Sequence, residues 1–267
     1  MNNIVFITQA RMDSYRFPGK VIAPIFGQPM ILWHCARVAI MQETIEESDT
    51  IFNHIVATSG SDKDRNILMP CLNKHGISSM FMEDVSPSDV LSRIFLIAKD
   101  MQAETIVRLC GDCPFVDPWI ITECLNLHFL RGNDLTALSY EWADGLDVEV
   151  IKMDALEKAY LNADEFSDRE HVTPYIWSRK DEFQVGHLPC PINLSNHAWS
   201  VDTLDGLNLA DSVFRNLYPK HSYKFNWANI YGYMLENLIE FPDRNKSYTQ
   251  QISTDKTWRE IRYGAGS

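Results

Sequence analysis

Long apolar runs are missing from this sequence. No stretch approaches the roughly 20 apolar residues that a membrane helix needs, and the chain does not open on a basic segment followed by a long apolar core. Positive charge is also scarce, with 24 Lys and Arg against 36 Asp and Glu and a formal net charge of −12. This deficit argues against a general nucleic-acid surface or an anionic-membrane surface. We therefore expect a cytoplasmic protein that binds neither nucleic acid nor a membrane.

The two common glycine-rich nucleotide-binding signatures are absent as well. Only Gly19-Lys20 matches part of a Walker loop, and no Ser or Thr follows that lysine. The glycine spacing of the dinucleotide fingerprint does not occur either. A P-loop kinase and a nicotinamide enzyme are both poorly supported.

Cysteine is present but is not arranged as a framework. The chain has six cysteines, of which only Cys110 and Cys113 have the spacing of a zinc or redox pair. A second close pair, which such sites normally need, is missing. We expect free and mostly buried thiols in a reducing compartment.

The length and the hydrophobic pattern predict an α/β protein. At 267 residues with 45% hydrophobic residues, the chain is long enough for one large domain or two small ones. Up to about residue 125, strand-like runs alternate with helical stretches, and this rhythm is typical of a mainly parallel sheet with helices on both faces. The predicted strands are residues 4–8, 54–59, 78–82 and 104–109. The predicted helices are residues 30–41, 62–73 and 88–101, the last capped by Ser86 or Ser88.

The rhythm changes after about residue 125. Strands are predicted at residues 135–139, 146–151 and 199–202, and helices at residues 155–163, 170–178 and 203–218. The simplest prediction is one three-layer α/β domain with an inserted subdomain.

A basic loop follows the first predicted strand. It carries Arg11, Arg16 and Lys20 together with the hydroxyl of Ser14. Open α/β sheets bind ligands at the carboxyl ends of their strands, and arginine adds bidentate contacts to phosphate. The loop therefore suits a polyphosphate, with a solvated basic turn as the alternative.

Two aspartates stand at the predicted ends of later strands. Asp112 could hold Mg²⁺, a hard cation that takes oxygen ligands, or form an Asx turn before Pro114. Asp202 could supply a second carboxylate to the same metal or cap the helix that follows it.

A further polar cluster suits an acceptor substrate. Asp147 and Glu149 alternate along the predicted strand 146–151 and would share a face. Arg169 suits an acidic group. His171 could act as a general base, or it could be a structural or capping histidine.

Seven segments taken together resemble one known family. The chain is similar to the SpsF-like cytidylyltransferases of spore coat polysaccharide biosynthesis, which are related to the acylneuraminate and ketodeoxyoctonate cytidylyltransferases. The resemblance extends to about residue 220, and Tyr15 and Phe17 depart from it because relatives often have small or aliphatic residues there. The matching segments are residues 10–20, 56–59, 89–93, 107–114, 144–150, 169–175 and 199–203.

The resemblance implies a fold, a domain plan and a reaction. The fold is the Rossmann-like nucleotide-diphospho-sugar transferase fold, with a nucleotide part at about 1–125, an acceptor part at about 126–200 and a helical extension with a loose tail at 221–267. The activity is Mg²⁺-dependent transfer of CMP from CTP to an acidic sugar or a small phosphorylated acceptor in surface polysaccharide biosynthesis, by a homodimer. A non-catalytic nucleotide-binding scaffold and a transferase that uses another nucleotide stay open as alternatives.

The resemblance also implies roles for individual residues. The implied catalytic residues are Arg11, Lys20, Asp112 and Asp202, of which Asp112 and Asp202 hold the metal. The implied nucleotide-binding residues are Ala10, Arg11, Met12, Ser14, Arg16, Lys20, Thr58, Ser59, Asp89, Arg93, Arg108 and Asp112. The implied acceptor-binding residues are Asp144, Asp147, Glu149, Arg169, Glu170 and His171.

Overall fold

A mixed β-sheet forms the centre of the computed structural model, which describes residues 3–45 and 51–239. The strands are β1 (Asn3–Gln9), β2 (Pro24–Ile25), β3 (Gln28–Pro29), β4 (Ile51–Ala57), β5 (Ser79–Met80), β6 (Thr105–Cys110), β7 (Leu135–Leu138), β8 (Glu149–Lys152) and β9 (Val185–Leu188). In the described part of the chain, seven of them form one sheet in the order β5-β4-β1-β6-β8-β7-β9, and β2 and β3 form a separate hairpin. Within the seven-stranded sheet, strand β8 runs antiparallel to both of its neighbours, whereas the other pairings are parallel.

Helices cover both faces of this sheet. They are α1 (Met30–Ile45), α2 (Met69–Lys74), α3 (Val90–Asp100), α4 (Pro118–Arg131), α5 (Met153–Asn162), α6 (Phe166–His171), α7 (Pro174–Trp177), α8 (Leu204–His221) and α9 (Trp227–Glu236). A π-helical turn (Asp64–Leu68) precedes α2. Among the described residues, no helix is both long and apolar enough to cross a bilayer.

The pattern of β1 explains why the two helical layers form. Successive strand residues point to opposite faces, so a strand buried on both sides reads as a continuous apolar run. Ile4 and Phe6 contribute to a core that includes residues of α1, α4, α8 and α9. Val5 and Ile7 contribute to a second core with residues of α3, α5 and α7. The predicted three-layer α/β architecture is confirmed.

The predicted helical extension after residue 220 is part of the main core. Ile230 and Met234 of α9 are buried in the first core. Asp117 accepts hydrogen bonds from the backbone N–H of Trp119, where it caps α4, and from that of Trp227 at the start of α9 (2.9 and 2.7 Å). One carboxylate therefore fixes two helix ends. The predicted loose tail falls beyond residue 239, outside the described residues.

The predicted cap of α3 is wrong, and of the two alternatives for Asp202 the structure excludes helix capping. Asp89, rather than Ser86 or Ser88, caps α3 by accepting from the N–H of Ser92 (3.0 Å). Thr203, rather than Asp202, caps α8 by accepting from the N–H of Gly206 (3.3 Å). In both cases the capping side chain stands directly before the first helical residue, where it reaches the unpaired N–H groups.

Three predicted elements after residue 140 are among those that the structure corrects. The backbone at residues 199–202 is not a strand, and β8 begins only at Glu149. The predicted helix at 170–178 lies in two helices, α6 and α7, because Val172 adopts a positive φ of 75° between them. Pro174 then starts α7, since proline has no N–H to give to a preceding turn.

Candidate active site

Loops from β1 and β6 meet at the carboxyl edge of the sheet. The N–H of Gly111 donates to the carbonyl of Gln9 (2.9 Å). A Cβ on Gly111 would lie 2.9 Å from Cβ of Ala10, which is closer than van der Waals contact permits. Glycine at this position therefore lets the loop that carries Asp112 lie against the basic loop.

A lysine lies between two carboxylates in this contact. Nζ of Lys20 is 2.6 Å from Oδ2 of Asp112 and 2.7 Å from Oδ1 of Asp202. Arg16 adds a second cation, with Nη2 2.9 Å from the same oxygen of Asp202. The N–H of Val201 donates to the carbonyl of Asp112 (2.9 Å), so a backbone hydrogen bond also joins the two segments. The structure thus brings together Arg16, Lys20, Asp112 and Asp202.

The charges in this cluster support one another. Burial disfavours the Lys20 ammonium, but the two carboxylates outweigh burial and raise the pKa of Lys20 above its usual value. Burial would raise the pKa of Asp112, yet the adjacent ammonium holds that pKa below its ordinary range. The Lys20 ammonium and the Asp112 carboxylate thus stabilise each other's charged form.

Asp144 supports Asp202 through a serine. Oγ of Ser200 lies 2.8 Å from Oδ2 of Asp144 and 3.2 Å from Oδ2 of Asp202. The close approach depends on Gly145, whose φ is +94° and whose Cβ position would lie 2.3 Å from the backbone nitrogen of Ser200. Asp144, predicted to bind an acceptor, therefore lies behind a predicted metal ligand.

A cleft of about 330 Å³ opens beside the cluster. Its walls carry four cations, Arg11, Arg16, Lys20 and Arg93, against the two carboxylates of Asp112 and Glu170. This local excess of positive charge contrasts with the net charge of −12 of the whole chain. The predicted site residues in its wall are Ala10, Arg11, Ser14, Arg16, Lys20, Arg93, Asp112, Glu170 and His171.

Sequence reasoning missed Gln9, Tyr15, Val21 and Val90 in the same wall. Tyr15 is fully exposed at 100%. Relatives often have a small or aliphatic residue at this position, so the tyrosine was the sequence signal that could have identified it.

Arg11 and Arg93 converge on one carbonyl. Nη1 of Arg11 and Nη2 of Arg93 both donate to the carbonyl of Pro87, at 3.1 and 2.7 Å. Burial, together with the neighbouring Arg11, lowers the pKa of Arg93 to about 10. Two adjacent guanidiniums have the donor geometry that suits an anion with several oxygens.

Three of the predicted nucleotide-binding residues do not line the cleft. Thr58 and Ser59 are buried, and neither they nor Met12 belongs to the cleft lining. Ser59 donates its N–H to Asp64 (2.9 Å) and its hydroxyl to the same carboxylate oxygen. The other oxygen of Asp64 accepts from the N–H of Met12 (2.7 Å).

Asp64 is thus a buried carboxylate that joins the basic loop to the loop after β4. Sequence reasoning missed it, because nothing in residues 58–64 distinguishes Asp64 from Asp62.

Asp89 and Arg169 position helices. Asp89 caps α3, and Nη1 of Arg169 lies 3.9 Å from the Asp89 carboxylate and 3.2 Å from Oγ of Ser92. Nε of Arg169 donates to the carbonyl of Ala163 (2.8 Å). Neither residue lines the cleft; together they tie α3 to the segment that presents Glu170 and His171.

Arg108 and Glu149 form a buried pair across the sheet. They face each other in the antiparallel register of β6 and β8, with Nη1 of Arg108 2.5 Å from Oε2 of Glu149. Oε1 of Glu149 accepts from the hydroxyl of Thr173 (2.8 Å). The expectation that Asp147 shares a strand face with Glu149 is wrong, because Asp147 precedes β8 and accepts from the N–H of Gly145 (3.3 Å).

All six cysteines are free thiols, as expected. Cys113, half of the close pair, is buried beside Asp112, with Sγ 3.5 Å from Oδ1 of that residue. Its neighbour Cys110, burial and the Asp112 carboxylate all raise the pKa of the Cys113 thiol.

The site has the donor set that Mg²⁺ uses with nucleotides. In the described ranges, no group of three or more His, Cys, Asp or Glu side chains is arranged to hold a metal ion. Asp112 and Asp202, however, already converge on a single cationic atom at the cleft. Magnesium is usually bound by one or two carboxylates together with phosphate oxygens and water. Two carboxylates beside a cationic cleft fit that pattern.

Comparison with known proteins identifies the family. The sequence profile described as cytidylyltransferase matches residues 5–215 of this chain. The chain belongs to the cytidylyltransferase family. It is therefore a nucleotidyltransferase enzyme.

Individual relatives agree with this assignment. The spore coat polysaccharide biosynthesis protein SpsF of Bacillus subtilis is 32% identical over 194 residues, which is 72% of this chain and 77% of SpsF. An 8-amino-3,8-dideoxy-manno-octulosonate cytidylyltransferase of Shewanella sp. is 27% identical over 150 residues, 55% of this chain and 57% of the relative. A solved cytidylyltransferase structure from Leptospira borgpetersenii superposes with a TM-score of 0.78 at 24% identity, covering 89% of this cytidylyltransferase and 95% of that chain. The structural match shows that the fold is shared.

Proposed function

We propose that this enzyme transfers CMP from CTP to an acidic sugar or a small phosphorylated acceptor, with Mg²⁺ as its cofactor. The observation that carries the proposal is the convergence of Asp112, Asp202 and Lys20 at the edge of a cationic cleft. Phosphoryl-group chemistry of this kind depends mainly on positioning and on neutralising charge. The cleft supplies groups that position the substrates and groups that neutralise their charge.

Different residues of the cleft bind the triphosphate and the metal ion. Arg11, Lys20 and Arg93 bind the triphosphate and offset its charge, while Asp112 and Asp202 hold the magnesium ion. When bound, Mg²⁺ neutralises the negative charge that develops on the phosphate oxygens. An acceptor oxygen attacks the α-phosphorus in line, the bond to the β-phosphate oxygen breaks, and pyrophosphate leaves. Lys20 and Arg11 stabilise that leaving group.

The acceptor side is defined by Glu170 and His171, which line the same cleft. A phosphate acceptor is already ionised and needs no base. A sugar hydroxyl must lose its proton, either through activation by the metal or to a residue such as His171. An acidic sugar is supported by the substrate class in the name of the Shewanella relative, and a role in surface polysaccharide synthesis by the name of SpsF.

The proposal is tested by measuring pyrophosphate release. The protein is incubated with Mg²⁺, each of the four nucleoside triphosphates and a panel of keto-acid sugars and small phosphates. We expect release with CTP and one class of acceptor, and none when magnesium is chelated. Release with UTP and none with CTP would refute the choice of nucleotide. Binding of CTP without turnover on every acceptor would favour the non-catalytic scaffold.

A single substitution tests the metal ligands. We expect Asp112→Asn to lower the turnover with CTP by about 100- to 1000-fold, as the loss of one preorganised electrostatic group does in other enzymes. Asp154→Asn is the matched control, because Asp154 is an exposed carboxylate at the start of α5. Equal activity of the two variants would exclude Asp112 as a metal ligand.

A further inference from the structure

A second cleft lies away from the candidate active site. It has a volume of about 440 Å³, within the range of small-molecule sites, and no residue lines both clefts. Its walls come from α1, from Phe52 and His54 of β4, from residues 75–78 and from Tyr223. None of the described residues that line it is Asp, Glu, Lys or Arg. The cleft therefore suits an uncharged ligand.

A chain of hydrogen bonds leads from this cleft to the active-site loop. Nε2 of His54 lies 2.9 Å from the hydroxyl oxygen of Thr8. The same oxygen lies 2.9 Å from Nε2 of His34, and Nδ1 of His34 lies 2.9 Å from the carbonyl oxygen of Cys113. Cys113 directly follows Asp112 in the sequence. Three side chains thus connect the second cleft with the loop that carries a proposed metal ligand.

The chemistry of these groups determines where each proton lies. A carbonyl only accepts, so Nδ1 of His34 must donate, and in a neutral ring Nε2 then accepts. Thr8 donates its single proton to that nitrogen and therefore accepts from Nε2 of His54. Burial lowers the pKa of His34 to about 4 and that of His54 to about 3, which keeps both rings neutral at pH 7. Nδ1 of His54 is left as an acceptor.

The structure assigns to this second cleft a binding site for an uncharged nitrogen heterocycle of nucleobase or nucleoside size, which donates an N–H to Nδ1 of His54. Phe52 and Tyr223 contribute aromatic side chains to the wall of the cleft, and aromatic side chains pack favourably against a planar ring. A donor on Nδ1 polarises the Nε2–H group, and hydrogen bonds in a chain strengthen one another. Occupancy of the cleft is thereby transmitted through Thr8 and His34 to the carbonyl of Cys113.

The first experiment determines the protonation of the rings in the free protein. Long-range ¹H–¹⁵N NMR of histidine distinguishes the two neutral forms. We expect the proton on Nδ1 in His34 and on Nε2 in His54. A proton on Nδ1 of His54 would overturn the proposal, because the acceptor for the ligand would be missing.

The second experiment adds adenosine, cytidine and uridine as probes. We expect at least one to bind saturably, with a ¹⁵N shift at His54 and a smaller shift at His34, and none at His128, which lies outside the cleft. His54→Phe keeps a planar ring but removes the acceptor, and should weaken binding by about tenfold, the equivalent of one hydrogen bond. Absence of binding by all three probes, or equal binding to His54→Phe, would refute the site.

The third experiment distinguishes binding in the second cleft from its transmission through the relay, which is the hydrogen-bond chain of His54, Thr8 and His34. Thr8→Val has the same shape without the hydroxyl and should bind the probe while the shift at His34 disappears. Thr8→Ser keeps a hydroxyl and should show the ¹⁵N shift at His34. If Thr8→Val does not fold, Thr8→Ser alone decides the test: absence of the His34 shift in that variant contradicts the relay. These measurements involve no catalysis, so their outcome is independent of the proposed transferase activity.

Discussion

The buried ammonium of Lys20 both holds two loops of the site together and balances the charge of their carboxylates. Its ammonium is almost fully enclosed, with 9% of the side chain exposed, and it lies between two carboxylates that come from loops distant in sequence. Removal of one partner from a buried ion pair leaves the remaining charges uncompensated and is far more costly than the net worth of the pair. The lysine thus holds together the carboxylates that the proposed metal needs.

This arrangement predicts that Mg²⁺ can replace the positive charge of Lys20 in a variant that lacks it. Lys20→Met removes the ammonium, so Asp112 and Asp202 repel each other and the protein should lose about 3 kcal/mol of unfolding free energy. Addition of Mg²⁺ should raise the melting temperature of the variant by more than it raises that of the wild type. The measurement is thermal unfolding with and without the metal.

Lys63→Met is the control for that experiment. Lys63 pairs with Asp13 on the surface, where the two side chains are 59% and 49% exposed, and exposed pairs contribute little. We expect little destabilisation and no specific response to Mg²⁺. A Mg²⁺ response of Lys20→Met no larger than that of this control would contradict the metal site.

Asp64 offers a second prediction for a single residue. Its two oxygens accept from Met12 and Ser59, and Asp64→Asn would turn an NH₂ group towards one of these donors. A buried donor without an acceptor costs about 1–3 kcal/mol, and the basic loop loses its anchor. We expect a higher KM for CTP with a smaller change in kcat, measured beside urea unfolding. Asp62→Asn, an exposed neighbour, should alter neither, and a similar effect in both variants would rule out this role.

At the scale of the elements, the glycine before β8 fixes the distance between two loops. Gly145 has a positive φ, and a Cβ there would overlap the backbone of Ser200. We expect Gly145→Ala to separate Ser200 from Asp144, to lower the melting temperature by several degrees and to lower activity strongly.

Gly132 provides the comparison for this substitution. It also has a positive φ, of 65°, but a Cβ there would meet nothing within 4 Å. Gly132→Ala should therefore cost only about 1 kcal/mol, the strain of the backbone conformation, with activity retained. Comparable losses of activity in the two variants would show that backbone strain, and not the contact with Ser200, matters at residue 145.

The elements also show what could be predicted from the sequence. Doubly buried strands such as β1 are recognisable because their apolar run is continuous, and the order of strands and helices follows from that signal. The basic loop and Asp112 could be assigned to one edge because the parallel strands β1 and β6 end there, whereas Asp202 reaches that edge from a segment that is not a strand. Side-chain pairings across the sheet could not be predicted. The pairing of Arg108 with Glu149, for example, depends on the antiparallel register of β8, and the periodicity of the sequence does not determine that register. Nor could sequence distinguish Asp89 from Ser86 and Ser88, since each can cap a helix.

At the scale of the whole molecule, buried histidines determine the response to acid. Burial lowers the pKa of His34 to about 4, whereas the unfolded chain has about 6.5, so the unfolded state binds more protons between these values. The contribution of the neutral His34 ring to stability is therefore present above pH 6.5 and is lost as the pH falls towards 4. His34 alone should contribute a loss of about 2 kcal/mol between pH 7 and pH 5.

Urea unfolding at both pH values tests this expectation. His34→Gln should show a smaller difference between pH 7 and pH 5 than the wild type. His221→Gln, at the exposed end of α8, should leave the difference unchanged. A wild type with equal stability at both pH values would contradict the neutral state of the buried rings.

The hydrogen bond from Val201 to Asp112 has a consequence for synthesis of the chain. The basic loop and Asp112 leave the ribosome early, but the second carboxylate follows only at residue 202 and is tethered by that backbone bond. Chains are made from the amino terminus and their segments begin to fold in that order. A nascent chain that ends before residue 202 already contains the cations that are proposed to bind the triphosphate, but it lacks one of the two carboxylates of the proposed metal site. In the proposed mechanism, the metal site can therefore form only after residue 202 has been synthesised.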